Sequence, residues 1–199
     1  NWLCPLLGSH DVLLDLHSTR ARNLPFAMLG PLDNTGPLQP FSYSGQERAL
    51  ALRLGVHRFV DGWLDTYAKG VQRRQAIAAS PDPLLADARY GVGTTEYMRS
   101  TGGYAITLEC GAHDDPQAPE VAYRAIHNTL LHLGLVAGDP PEPVERVEML
   151  HMYDVHDKVH VEDAFSRPWA SFDRLVAGDL IGTRKDGTPV VAAEDGFIL

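Results

Sequence analysis

The sequence predicts an α/β layer protein, a mixed and partly parallel sheet with flanking helices, followed by a small C-terminal all-β module. Three observations predict it. Short apolar runs alternate with helical periodicity over residues 1–137, the pattern of strands covered by helices. A proline-rich stretch, Gly138-Asp139-Pro140-Pro141-Glu142-Pro143, then marks a change of composition. Beyond it, over residues 144–199, short alternating runs are punctuated by glycine turns at Ala177-Gly178-Asp179, Asp186-Gly187 and Asp195-Gly196.

The elements follow in order. Asp11 to Leu16 (DVLLDL) reads as a buried strand ending on a polar cluster, His17-Ser18-Thr19-Arg20, and Pro25 to Gly30 as a weaker second strand. Pro31 to Ser44 is rich in turn formers and reads as loop, whereas Gln46 to Leu54 has helical spacing of Ala and Leu, ended by Gly55. Val56 to Lys69 reads as a strand passing into helical or irregular structure, and Pro81 to Gly93 as a surface loop. Thr94 to Ser100 is expected to be a short helix with a threonine N-cap, followed by Gly102-Gly103 and a strand from Tyr104 to Glu109. Pro119 to Leu133 is the clearest helix: Val121, Ala125, Ile126, Leu130 and Leu133 form one apolar face, with Pro119 in the first turn and Gly134 after the last. In the C-terminal segment, Val147 to Tyr153, Lys158 to Val161 and Pro189 to Ala193 read as strands.

Composition narrows the function. With 44% hydrophobic and 22% charged residues the chain can build a core, and with 17 basic against 26 acidic residues, net charge -9, it lacks the basic surface that phosphate backbones require. A nucleic-acid partner is therefore not expected, while a small anionic substrate needs only one or two placed arginines. No apolar run has the length of a membrane span. Cys4 and Cys110 form no disulfide or metal-ligand spacing, which points to the reducing cytoplasm.

Two strand ends could carry chemistry. An imidazole emerging at the carboxyl edge of a sheet, as His17 does after Asp15-Leu16, is placed to ligate a metal while its second nitrogen is fixed by a polar neighbour; the same residue could equally cap or brace the strand. Glu109 terminates an otherwise apolar run, Tyr104-Ala105-Ile106-Thr107-Leu108, ahead of Cys110-Gly111. A carboxylate there is costly unless paired or used, so it reads either as a general base or as the partner of an arginine or a helix end. Arg20, Arg22, Arg89 and Arg99 are the arginines that could hold a substrate carboxylate or polarise a carbonyl. His151 and His160 each stand three before an acid, but in β structure that spacing turns the pair to opposite faces. His113-Asp114-Asp115 either borders the Glu109 strand end or leads into the next helix.

Taken together, Asp15-Leu16-His17-Ser18-Thr19 and Ile106-Thr107-Leu108-Glu109-Cys110-Gly111 resemble two motifs of the succinylglutamate desuccinylase/aspartoacylase family, relatives of the zinc carboxypeptidases. Gly91 to Ser100 (GVGTTEYMRS) and His113 to Leu135 resemble flanking segments of a bacterial branch. The resemblance implies a zinc-carboxypeptidase-like sheet, Zn²⁺ as cofactor with His17 as one ligand, and Glu109 as the catalytic carboxylate. It implies that Arg99 binds substrate or polarises the carbonyl, a catalytic role; Arg20, just past His17, is a second substrate-binding candidate by its position. It implies a zinc-dependent amidohydrolase cleaving an amide or ester bond in a small N-acyl amino acid-like substrate. The β module resembles the family's C-terminal domain, which bears on access to the site.

The family's other zinc ligands come from a His-x-x-Glu motif upstream of the His17 strand, and no segment between Asn1 and Leu199 supplies one. The chain opens on Asn1 directly ahead of a strand-like run and stops on Phe197-Ile198-Leu199 after a turn, so it is expected to be a part of its parent, inactive alone, with the remaining ligands upstream of Asn1. An exposed sheet edge in such a fragment is compatible with a homo-oligomer. The competing expectation is a non-catalytic binding or regulatory protein on the same fold; a lipoyl-type carrier or sugar-binding module has only Lys185, near the Asp186-Gly187 turn, in its favour.

Overall fold

The computed structural model describes residues 2–32, 41–77, 87 and 91–199. Helix α1 (Leu3–Leu7) precedes strand β1 (Val12–Thr19); β2 (Phe26–Met28), α2 (Ser44–Ala51), β3 (Arg58–Asp61), α3 (Trp63–Ile77), α4 (Thr94–Ser100), β4 (Tyr104–Ala112), α5 (Ala118–His132) and β5 (Glu148–His151) follow. The last part of the chain holds β6 (Ala164–Phe165), β7 (Arg174–Leu175), β8 (Leu180–Thr183), β9 (Pro189–Val191) and β10 (Gly196–Phe197). The predicted loops at Pro31 to Ser44 and Pro81 to Gly93, and Arg89 with the second, fall largely or wholly outside the described residues.

The five long-range strands make one mixed sheet in the order β1-β4-β2-β3-β5. β1 runs parallel to β4, β4 antiparallel to β2, and β2, β3 and β5 parallel to one another. Alternation assigns the two faces. Leu14, Ile106, Leu108 and Cys110 pack with Leu50, Ala51 and Leu54 and with Ala125 of α5. The residues between them turn the other way, where Leu13 and Ala105 meet Leu7 of α1 and Met98 of α4. Fully burying a leucine or isoleucine such as Leu50, Leu54, Ile106 or Leu108 stabilises by about 1.5–3 kcal/mol per side chain.

Three expectations are corrected here. The strand at Glu148–His151 was expected in the C-terminal β module, yet it pairs parallel with β3, Arg58 opposite Glu148, and closes the large sheet. The short sheets β6-β8-β9 and β7-β10 are what remains as the all-β part, around Leu175, Ile181 and Ala192. Lys158 to Val161 forms no strand; Asp163 instead accepts the Val159 and His160 amides and folds the segment into a turn. The N-cap of α4 is Gly93, whose N–H is met by Glu96 Oε2 at 2.9 Å, because the Thr94 hydroxyl is committed elsewhere.

Glu47 was not singled out from sequence and organises the amino end of β4. Buried at 2% exposure, its carboxylate accepts from the Gly30 amide at 2.6 Å, the Ala105 amide at 3.1 Å, and Arg99 Nε and Nη2 at 2.8 and 3.2 Å. Arg99 also donates to the Ala105 carbonyl at 2.6 Å and reaches Glu96 at 3.4 Å. Gly30 is required beside it, since a Cβ there would lie 2.6 Å from Arg99 Nε.

Candidate active site

His17 and Glu109 come together because their strands are parallel neighbours in register, with His17 directly opposite Glu109. Both belong to the α4 face, near the carboxyl ends of β1 and β4. Just past this pair the ladder slips between His17 and Thr19, and Gly111 takes φ +135, a conformation that side-chain-bearing residues rarely adopt. Pairing resumes beyond the slip at Thr19 and Ala112; His113 N–H bonds the Thr19 carbonyl at 2.8 Å, and Ser18 Oγ lies 2.8 Å from His113 Nδ1, so the two strand ends stay tied together.

The imidazole is oriented by a relay from α4. Thr94 Oγ1 donates to Asp15 Oδ2, and Asp15 Oδ1 lies 3.1 Å from His17 Nε2. A carboxylate accepts and does not donate, so Asp15 favours a proton on Nε2, while Nδ1 is the ring nitrogen nearer Glu109, whose Oε1 is 3.9 Å away. This carboxylate–imidazole pairing is how metal-ligating histidines are held. Asp15 was visible in sequence as the residue two before His17 on one strand, hence on the same face; its partner Thr94 was not.

Glu109 is only partly satisfied where it stands. Its side chain is 13% exposed, and Oε2 is buried without a hydrogen-bond partner. Burial raises its proton affinity above the ordinary value; the positive potential of His17 and His113 opposes the rise and Asp15 reinforces it. A carboxyl whose proton affinity is raised by burial is better suited to taking up and returning a proton than a surface carboxylate is.

Arg99 is corrected. Its guanidinium is 2% exposed and bound to Glu47, Glu96 and the Ala105 carbonyl. Ala105 precedes Glu109 by four residues, about 13 Å along a strand. Arg99 therefore serves the opposite end of β4, as the counter-charge of a buried carboxylate, and is neither a catalytic nor a substrate-binding group in this geometry. Arg20 stands exposed just beyond β1, at the same sheet edge as His17 and Glu109, and makes no ion pair among the described residues. Arg22 is exposed and contributes its carbonyl to Ser171.

The Zn²⁺ that the sequence resemblance implies can be tested against these donors. His17 offers an imidazole with Asp15 beside its Nε2, and Glu109 holds a buried, unpartnered oxygen on the neighbouring strand. Among the described residues, however, no group of three or more His, Cys, Asp or Glu could hold a metal ion. A catalytic zinc takes three protein ligands and one open position, so the fit extends to one ligand of that set.

No family model and no curated protein matches the sequence. Solved structures do. The product-bound ectoine utilization protein EutE (DoeB) from Ruegeria pomeroyi superposes over 100% of this chain with a TM-score of 0.57 at 16% identity, using 55% of that protein. The succinylglutamate desuccinylase/aspartoacylase from Rhodobacter sphaeroides covers 96% of this chain and 53% of its own, with a TM-score of 0.56 at 16% identity. The fold is that of the succinylglutamate desuccinylase/aspartoacylase family. The succinylglutamate desuccinylase from Vibrio cholerae agrees, with a TM-score of 0.57 over 98% of this chain at 16% identity. The chain spans about half the length of these family structures, 55%, 53% and 51% of them respectively. Among the described residues no helix is long and apolar enough to cross a membrane.

Proposed function

We propose that this chain carries part of the active site of a zinc-dependent hydrolase that cleaves an amide or ester bond in a small, anionic, N-acyl amino acid-like substrate. The observation that carries the reading is the Glu109 carboxylate, buried with one oxygen unpartnered beside an oriented imidazole. A structural carboxylate in this molecule looks different: Glu47, more deeply buried, accepts from four donor atoms. The desuccinylase and aspartoacylase names of the similar structures point to the same bond class.

In this reading His17 Nδ1 is one zinc ligand, with Asp15 and Thr94 holding its tautomer. Zinc, when bound, supplies Lewis acidity to the attacking water and the scissile carbonyl. Glu109 accepts a proton from that water and returns it to the leaving nitrogen, and burial suits the carboxyl to both transfers. Arg20 meets the substrate's carboxylate at the exposed edge. The remaining ligands lie outside the described residues. Cys4 and Cys110 are thiols, which accords with a cytoplasmic site of action.

Metal analysis of the full-length gene product tests the reading. It is expected to carry about one zinc per chain, as a three-ligand catalytic site requires, and His17→Ala is expected to lose it. Undiminished hydrolysis by a zinc-free preparation would sink the proposal.

A further inference from the structure

The row that contains His17 and Glu109 continues across the sheet. Glu109 is opposite Phe26 on β2; Ala27 is opposite Phe59 on β3, which sets Phe26 beside Arg58; and Arg58 is opposite Glu148 on β5. Facing residues on neighbouring strands share a face, with Cβ atoms about 4.5–5.5 Å apart in an antiparallel pair such as Glu109 and Phe26. The space over Phe26 and Arg58 is therefore the space next to the Glu109 carboxylate on its β2 side.

That space is filled from the C-terminal β part of the chain. The Phe172 ring meets Phe26 edge-on, centroids 5.1 Å apart at 86°, and the Arg58 guanidinium lies 3.9 Å from the Phe172 ring centre. Arg58 Nε is engaged by Glu148 at 2.5 Å, while Nη1 is buried with no acceptor. Phe172 also has φ +72, the one positive φ outside glycine among the described residues. A bulky side chain is held in that region only where its surroundings over-determine it, and such positions cluster at ligand clamps. Here Ser171 N–H bonds the Arg22 carbonyl at 2.9 Å, next to the end of β1, and Phe172 N–H bonds the Ile198 carbonyl at 2.6 Å.

We infer that Phe172 is a specificity-determining wall: its ring closes the β2 side of the Glu109 site and withholds Arg58 from ligand, so a bound molecule is confined to the edge over β1 and β4. This rests on the reading of Glu109 as the reacting carboxylate. A substrate must then be narrow beside its scissile bond, and its anionic group must be met from the Arg20 side.

The test is chemical labelling of Glu109 by a water-soluble carbodiimide and an amine, followed by peptide mass spectrometry, on the chain itself and on two variants. Phe172→Gly removes the ring and supplies the residue that takes this φ freely; Phe172→Leu keeps the space filled. Glu47, 2% exposed, reports whether the core stays closed. The expected result is a severalfold faster labelling of Glu109 in the glycine variant, a rate near the parent's in the leucine variant, and no labelling of Glu47 in any. Equal Glu109 rates in all three overturn the wall. So does labelling of Glu47 together with Glu109 in the glycine variant, because the ring would then be holding the fold. Labelling needs neither zinc nor turnover, so this result and the hydrolase reading fail separately.

Discussion

Glu47→Ala is expected to destabilise the chain by about 3–5 kcal/mol, the cost of leaving one member of a buried ion pair without the other. The substitution leaves Arg99, 3% exposed, with only Glu96 at 3.4 Å as a counter-charge, and removes the acceptor of the Gly30 and Ala105 amides at the same time. In a chain of this size that corresponds to a fall in Tm on the order of 10 °C. Replacing both partners, Glu47→Leu with Arg99→Met, is expected to recover the part of the loss that comes from the unpaired Arg99 charge, while the Gly30 and Ala105 amides stay without their acceptor. Urea or thermal unfolding of the single and double variants measures this as a cycle. If Glu47→Ala unfolds at the same midpoint as the parent, the buried pair does not organise this end of the sheet.

The second large effect concerns Glu109→Gln and runs in opposite directions for activity and stability. In the full-length, zinc-containing protein, loss of the proton-transferring carboxyl is expected to lower kcat by a factor of about 10²–10⁴, the range for general acid–base groups. On the proposed reading, in which His17 and not Glu109 is a zinc ligand, zinc content should stay unchanged. Stability follows from the sign of the pKa change. Burial raises the proton affinity of Glu109 above its ordinary value of 4.5, so the folded chain favours the protonated form. Its contribution to stability is fully present below the unfolded-state value and is lost as pH rises through the folded-state value. At pH 7 the charged form is therefore a net burden, which glutamine does not carry. The metal-free glutamine variant should unfold at higher urea than the parent at pH 7, and the two should converge toward pH 4. A glutamine variant less stable than the parent at pH 7 would contradict the environment assigned to Glu109.

His17 and Glu109 were readable as candidates because each ends an apolar run, and a polar side chain at the edge of a strand is exposed to something other than core. Asp15 could be placed beside His17 by strand alternation alone. Arg99 could not be assigned correctly, since its partner lies in another helix. A hint was present: Glu47 shares a helical stripe with Leu50, Ala51 and Leu54, and a charge on an apolar stripe demands a counter-charge. Which of the arginines answers it is a matter of packing. The strand at Glu148–His151 went to the wrong layer for a related reason, as its pairing with β3 joins residues far apart in sequence across a proline-rich segment.

The sequence by itself determined the alternation of strands and helices, the polar ends of β1 and β4, and the face on which each residue of those strands lies. These follow from local periodicity and need no distant partner. Tertiary structure alone decided that His17 stands opposite Glu109, that Arg99 is spent on Glu47, and that Phe172 is held at a positive φ over Phe26 and Arg58. Each of these depends on a charge, a hydrogen bond or a packed ring supplied from elsewhere in the chain, and local propensity carries no information about which distant residue supplies it.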